Sequence, residues 1–331
     1  MTRARIRSLR IWQISIAVLS SVYVARSISL GRKSGSFLLQ EPYEDLPTLM
    51  SPTTPEKDCW DLPAVYSEMN PKEFMENGPG KAYLPLYEKQ KQQSKKQRLL
   101  KVRFVVYSLS DKNCRPVYYH IHKNGGTSMH VKNHPLVDAY YTPREQQLGR
   151  EEFHNQTMQI MTGIYSAQQQ QQTCSIPIFT FLRDPVPRFL SSVGQALRLN
   201  KLHPCNTQSK DTQELLDCVL NKIKVKESFL DEHLLPQSFE LYNGMTGLDL
   251  KVKVMDSSAI GSVLHKLGLA TNDVSSPRRK TQGLISGFNL SMSFVTAPLI
   301  ERICEIYHMD VMLLQLTGVT RTICERYTQR G

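Results

Sequence analysis

Residues 118–131 read YYHIHKNGGTSMHV. An aromatic and β-branched run stops at Lys123, two glycines and two hydroxyl residues follow, and the chain turns helical again after them. Strand, small-residue loop and helix together make an anion-binding arrangement. Glycine lets the backbone turn sharply and approach a ligand. The loop N–H groups point at the anion, and the helix N-terminus adds partial positive charge. In Lys123-Asn124-Gly125-Gly126-Thr127-Ser128 the lysine supplies a full charge, and Thr127 and Ser128 supply hydroxyl donors. The lysine precedes the glycines, so this is not the Walker pattern G-x-x-x-x-G-K-[ST], which argues against an ordinary ATPase or GTPase. The bland alternative is a glycine turn that binds nothing.

A second stretch, FTFLRDPVPRFLSSV at 179–193, raises the weight of the ligand reading. A buried strand ends at Arg183. Asp184 is a good N-cap and Pro185 a good first helical residue, so a helix starts here. Ser191 falls about two turns into that helix. Arg183 and Ser191 can therefore meet one anion at the C-terminal edge of a sheet, where open α/β folds bind ligands.

Working outward, RFVVYSL and PVYYHIH read as strands, MQIMTGIYS (158–166) as a third, IPIFTFL (176–182) as a strong buried strand, and LKVKVMD (250–256) as another. Helical patterns cover 186–200, 211–224, 228–242 and 257–269, and TAPLIERICEIYHMDVMLLQLTG reads as one long amphipathic helix. Gln168–Gln172 reads as a solvated loop. Alternating strands and helices predict an α/β fold: a P-loop-like, mostly parallel sheet with helices on both faces.

The N-terminal part has a different character. IWQISIAVLSSVYVA, residues 11–25, is uncharged and follows Arg3, Arg5, Arg7 and Arg10. A membrane span needs about 20 residues, which extension towards Leu30 approaches. A cleaved signal peptide needs small residues at −1 and −3 of the cut; Tyr23 and Val18 fill the −3 position of the two candidate cuts. A retained signal anchor fits better, with its arginines cytoplasmic. Eight prolines between Pro42 and Pro85 make 31–100 read as a stem without long helices. The expected organisation is a tail at 1–10, an anchor at 11–30, a stem at 31–100 and a catalytic domain at 101–331.

Seven of the net +11 charges come from residues 1–33, which carry no acid. The remainder is only mildly basic, which suits an anionic ligand and does not call for nucleic acid. Asn155-Gln-Thr and Asn289-Leu-Ser are N-glycosylation acceptors. Of seven cysteines, Cys205 with Cys218 and Cys304 with Cys324 are candidate pairs; Cys59, Cys114 and Cys174 complete the odd count. No CxxC or Cys/His cluster marks a zinc site.

The two phosphate motifs, in this order, resemble those of sulfotransferases that use 3′-phosphoadenosine 5′-phosphosulfate (PAPS). The likeness is closest to the membrane-anchored Golgi carbohydrate sulfotransferases and covers about residues 115–318. It implies that Lys123 to Ser128 hold the 5′-phosphosulfate and that Arg183 and Ser191 hold the 3′-phosphate. The family's acidic-x-His…Pro-Gln segment is matched by DEHLLPQ (231–237), and its Tyr-x-x-Asp pattern by Tyr307-His308-Met309-Asp310. The chain departs from it at His122, where the family has proline, and at Gly163-Ile164-Tyr165, where some relatives have a catalytic Gly-His. The resemblance implies PAPS as donor with no metal required. It also implies a glycan or other hydroxyl-bearing acceptor, and a type II Golgi membrane protein with a lumenal catalytic domain.

Within that reading Lys123 stabilises charge on the leaving phosphate. His233 is the first candidate for the general base, with His122 and His154 behind it. A histidine at a helix start with no chemistry is the plainer reading of His233. Arg188 either lines the nucleotide site or pairs with an acid. Two alternatives stand beside transfer. One is a lumenal nucleotide- or glycan-binding protein of the same fold; the other is a P-loop kinase-like enzyme, for which a Walker-B acid is missing.

Overall fold

Ile178–Leu182 forms β5, buried along its whole length at the centre of a six-stranded sheet. The sheet comprises β1 (Tyr66–Met69), β2 (Phe104–Tyr107), β3 (Val117–Tyr119), β4 (Val137–Tyr141), β5 and β6 (Val252–Asp256), in the order β1-β6-β5-β3-β2-β4. A short hairpin, β7 (Leu284–Ile285) and β8 (Phe288–Asn289), stands apart from it. The computed structural model describes residues 60–97, 104–107, 116–124, 129, 137–141, 162, 177–226, 229–245, 250–269, 284–285 and 287–328. The tail, the anchor segment, Gly125–Ser128, His154, Asn155, Gly163–Tyr165, Gln168–Gln172, Cys59, Cys114 and Cys174 lie outside these residues. The strand expected at 158–166 also lies outside them, apart from the helical Thr162.

Alternation along the strands explains why both faces are covered, because successive side chains point to opposite sides. Phe104, Val106, Val117, Tyr119, Ile178 and Leu182 join one core with Phe189, Leu216 and Phe239 from helices and Tyr307 from the turn between two helices. Val105, Tyr107, Tyr118, Phe179, Phe181 and Met255 face the other way and pack with Trp60, Val263 and Leu264. The helices are α1 (Pro71–Glu76), α2 (Leu84–Gln97), α3 (Pro185–Arg198), α4 (Thr212–Lys226), α5 (Gln237–Met245), α6 (Ile260–Lys266), α7 (Ala297–Ile306) and α8 (His308–Thr317), with single turns elsewhere. Among the described residues no helix is long and apolar enough to cross a membrane.

Three sequence expectations are corrected. The sheet is mixed rather than mostly parallel: β3, β5 and β6 are parallel, while β1, β2 and β4 run antiparallel to their neighbours. The link from β2 to β3 is too short for a helical crossover, which dictates antiparallel pairing. Residues 60–97 are not a stem. β1 pairs with β6 in register Tyr66↔Met255, and Phe74, Met75 and Tyr87 are buried in the core. The prolines here start helices instead of preventing them, Pro71 opening α1 and Pro85 lying in the first turn of α2. The expected long C-terminal helix is two helices, broken at Tyr307 (φ −102°, ψ 24°).

Elsewhere the elements follow the sequence. Asp184 caps α3 by accepting from the Val186 N–H at 2.8 Å, and Pro185 is the first helical residue. The pattern at 228–242 is shortened, because Pro236 holds Leu235 extended (φ −60°, ψ 144°) and delays α5 to Gln237. Cys205–Cys218 and Cys304–Cys324 are disulfides, the two pairings the sequence nominated.

Candidate active site

β3 and β5 are parallel neighbours, with Tyr118 level with Phe179, so both chains leave the sheet at the same edge. Lys123 and Arg183 follow those two strands. Their loops are tied together by one side chain, Gln237. Its Oε1 accepts from Asn124 Nδ2 at 2.7 Å and from the Arg183 N–H at 3.2 Å. Its Nε2 donates to the Arg183 carbonyl at 2.9 Å. Asn124 Nδ2 also donates to the Phe181 carbonyl at 2.7 Å, and Arg183 Nη1 donates to the Lys123 carbonyl at 3.3 Å. Lys123 itself is left-handed (φ 66°), a conformation that costs a non-glycine residue roughly 1–2 kcal/mol. These bonds hold the first loop in that turn.

The edge is strongly positive. Burial, then Arg183, Arg198 and Arg188, lower the Lys123 amine to about 8. Burial and Arg188 also push the Arg183 guanidinium below its ordinary value, partly offset by Asp184 and Asp256. Cations that depress one another are poised for an anion, which relieves both burial and repulsion. Lys123 is charged below about pH 8 and neutral above it, so an anion held by this amine is expected to lose affinity as the pH rises past that point. Between about pH 7 and pH 9 the dissociation constant is expected to rise roughly tenfold for this one proton. Calorimetry at the two pH values measures it, and a flat profile contradicts the assignment.

Beside this edge lies a buried polar network. Glu240 on α5 accepts from the His122 N–H at 3.0 Å, faces His122 Nδ1 at 2.5 Å, and accepts from Arg188 Nη2 at 2.7 Å. Arg188 Nη1 donates to the Leu235 carbonyl at 2.7 Å and lies 4.0 Å from Asp310. Arg188 is 1% exposed. Of the two roles the sequence left open for Arg188, the structure shows the pairing with acids: its guanidinium lies against Glu240 and near Asp310. Ser191 lies on α3 as expected and is 2% exposed.

The histidine of DEHLLPQ is positioned by its neighbours. His233 Nδ1 and its backbone N–H both bond Asp231 Oδ1, and Asp231 Oδ2 accepts from Lys201 Nζ at 2.6 Å. Burial raises the Asp231 carboxyl, but the bonds from His233 and Lys201 outweigh this and hold it well below the usual carboxylate range. Burial lowers His233, with Asp231 opposing, so the ring is neutral at neutral pH. Its Nδ1–H faces the carboxylate, which leaves Nε2 as the basic nitrogen. The His122 ring lies 5.0 Å away, edge-on at 77°.

The two weaker sequence patterns prove to be partners. Tyr307 Oη donates to the Leu234 carbonyl at 2.6 Å. Asp310 accepts from the N–H groups of Gln237 and Ser238 at 2.9 and 3.0 Å, capping α5. Tyr307 and Asp310 thus hold the Pro-Gln segment in place, and with it Gln237 and His233. Gly244 is needed beneath: a Cβ there would lie 2.1 Å from the Tyr119 hydroxyl, which donates to the Glu240 carbonyl. Sequence reasoning missed Glu240. Its one sequence signal is an acid set among Phe239, Leu241 and Tyr242, one turn after Gln237.

Comparison with family models, with curated proteins and with solved structures found no match.

Proposed function

We propose that this protein is a PAPS-dependent sulfotransferase acting on a hydroxyl of a glycan. The observation that carries the reading is the union of two loops at one sheet edge. The loops of Lys123 and Arg183, which the sequence likens to 5′-phosphosulfate and 3′-phosphate sites, are bonded to each other and to Gln237. In this reading the sheet is a P-loop-like variant and Lys123 to Ser128 surround the phosphosulfate. Arg183 and Ser191 hold the 3′-phosphate.

The chemistry is an in-line displacement. The acceptor oxygen forms a bond to sulfur as the bond from sulfur to the 5′-phosphate oxygen breaks. The electron pair leaves with 3′-phosphoadenosine 5′-phosphate, and Lys123 meets its growing charge. The acceptor proton passes to His233 Nε2, and Asp231 stabilises the resulting imidazolium. The two disulfides suit an oxidising compartment. With residues 11–30 as a signal anchor, the enzyme is a type II Golgi membrane protein facing the lumen.

The test is selective loss. Arg183→Ala should weaken binding of 3′-phosphoadenosine 5′-phosphate by roughly tenfold or more, the loss of a charge-assisted bond of about 1.5–3 kcal/mol. It should weaken ADP far less. Equal losses for both nucleotides contradict the 3′-phosphate assignment.

A further inference from the structure

We propose that His122, Glu232 and His233 form a binding site for a divalent transition metal, zinc by its chemistry. One ligand atom from each of the three lies within 4.8 Å of the other two. A carboxylate stands behind each imidazole: Glu240 at His122 Nδ1 and Asp231 at His233 Nδ1. Metal-ligating histidines are held in this way, the outer carboxylate fixing the tautomer and making the inner nitrogen more basic. Both Nε2 atoms are thereby left to ligate. His122 is 3% exposed, and its Nε2 is buried without a hydrogen-bond partner among the described residues. A buried nitrogen in that state costs free energy that a ligand recovers.

The donor set selects the ion. Two imidazoles and one carboxylate suit zinc, whereas magnesium and calcium prefer all-oxygen shells. Tetrahedral bonds of about 2.0–2.1 Å put ligand atoms roughly 3.4 Å apart, so atoms that lie within 4.8 Å of one another close by at most about 1.4 Å on binding. The outer charges are already balanced, Asp231 by Lys201 and Glu240 by Arg188. Solvent reaches the site through His233, whose side chain is 12% exposed. The fourth position stays open, as in three-ligand zinc centres. Occupancy takes the Nε2 lone pair that the transfer reading assigns to the acceptor proton, so zinc switches transfer off. This consequence rests on the proposed function; the binding does not.

The test is titration of the chelator-stripped full chain with zinc chloride against a chromogenic chelator. The expected result is one zinc per chain, with no competition from millimolar magnesium. Glu232→Gln, which leaves both carboxylate–imidazole bonds in place, should weaken zinc by at least roughly tenfold, and so should Asp231→Asn through the outer shell. His122→Ala should abolish competition, with folding checked by circular dichroism. Failure of the wild type to compete, or wild-type affinity in Glu232→Gln, overturns the site. Binding of 3′-phosphoadenosine 5′-phosphate, measured on the same sample, fails or succeeds independently and so separates the two readings.

Discussion

Lys123→Ala is expected to cut turnover by roughly 10²–10³-fold, the loss found when one preorganised donor to a developing charge is removed. The fold should survive. Alanine and lysine carry the same Cβ, so the left-handed turn is no more strained in the variant, and the bonds to Gln237 are made by other residues. Removing a half-buried amine that Arg183 helps to lower to about 8 also ends that repulsion. Michaelis constants for the acceptor should change little. Undiminished turnover would end the account of Lys123, and an unfolded variant would mean that its role is structural.

Arg188→Ala should act on stability instead. The change leaves Glu240 buried beside His122 without its guanidinium partner, 4% exposed, and removes the nearest cation from Asp310, which is fully buried. Breaking a buried pair from one side costs about 3–5 kcal/mol. That lowers the melting temperature by on the order of 10 °C in a domain of this size. Asp310 makes the argument sharper: burial raises its carboxyl and Arg188 is the first group that opposes the rise. Thermal melting followed by far-ultraviolet circular dichroism measures the effect. A variant of unchanged stability with weakened nucleotide binding would return Arg188 to the ligand site.

These two residues show what the sequence could reveal. The position of Lys123 and Arg183 at one sheet edge was legible because the signals are local: each follows a strand within a few residues, and Arg183 directly precedes the Asp184 cap of α3. Arg188 was not, because its meaning lies in Glu240, 52 residues away, and in the Leu235 carbonyl. His122 and Glu232 likewise share no sequence neighbourhood, so a scan for spaced metal ligands passes over them.

The fold divides in the same way. β3 and β5 are rich in β-branched and aromatic residues, and β6 sets valines at alternate positions, so all three declare themselves. β1 reads YSEM, half polar, because it is an edge strand that leaves Glu68 to solvent and to Lys253. β4 was not among the strands read from the sequence, and it too is an edge strand. The break at Tyr307 is invisible to periodicity, since α7 and α8 continue one apolar pattern. It is imposed by the tertiary bonds of Tyr307 and Asp310 to the segment that carries His233.

The central claim is that the paired loops hold a 3′-phosphorylated nucleotide. Calorimetric titration of the full chain with 3′-phosphoadenosine 5′-phosphate, beside ADP and ATP, addresses it most directly. The full chain is required because residues 60–97 supply a strand and core side chains to the same sheet. The account predicts saturable one-to-one binding that ADP and ATP reproduce only weakly. A preference for ATP, or no nucleotide binding by folded protein, would contradict it.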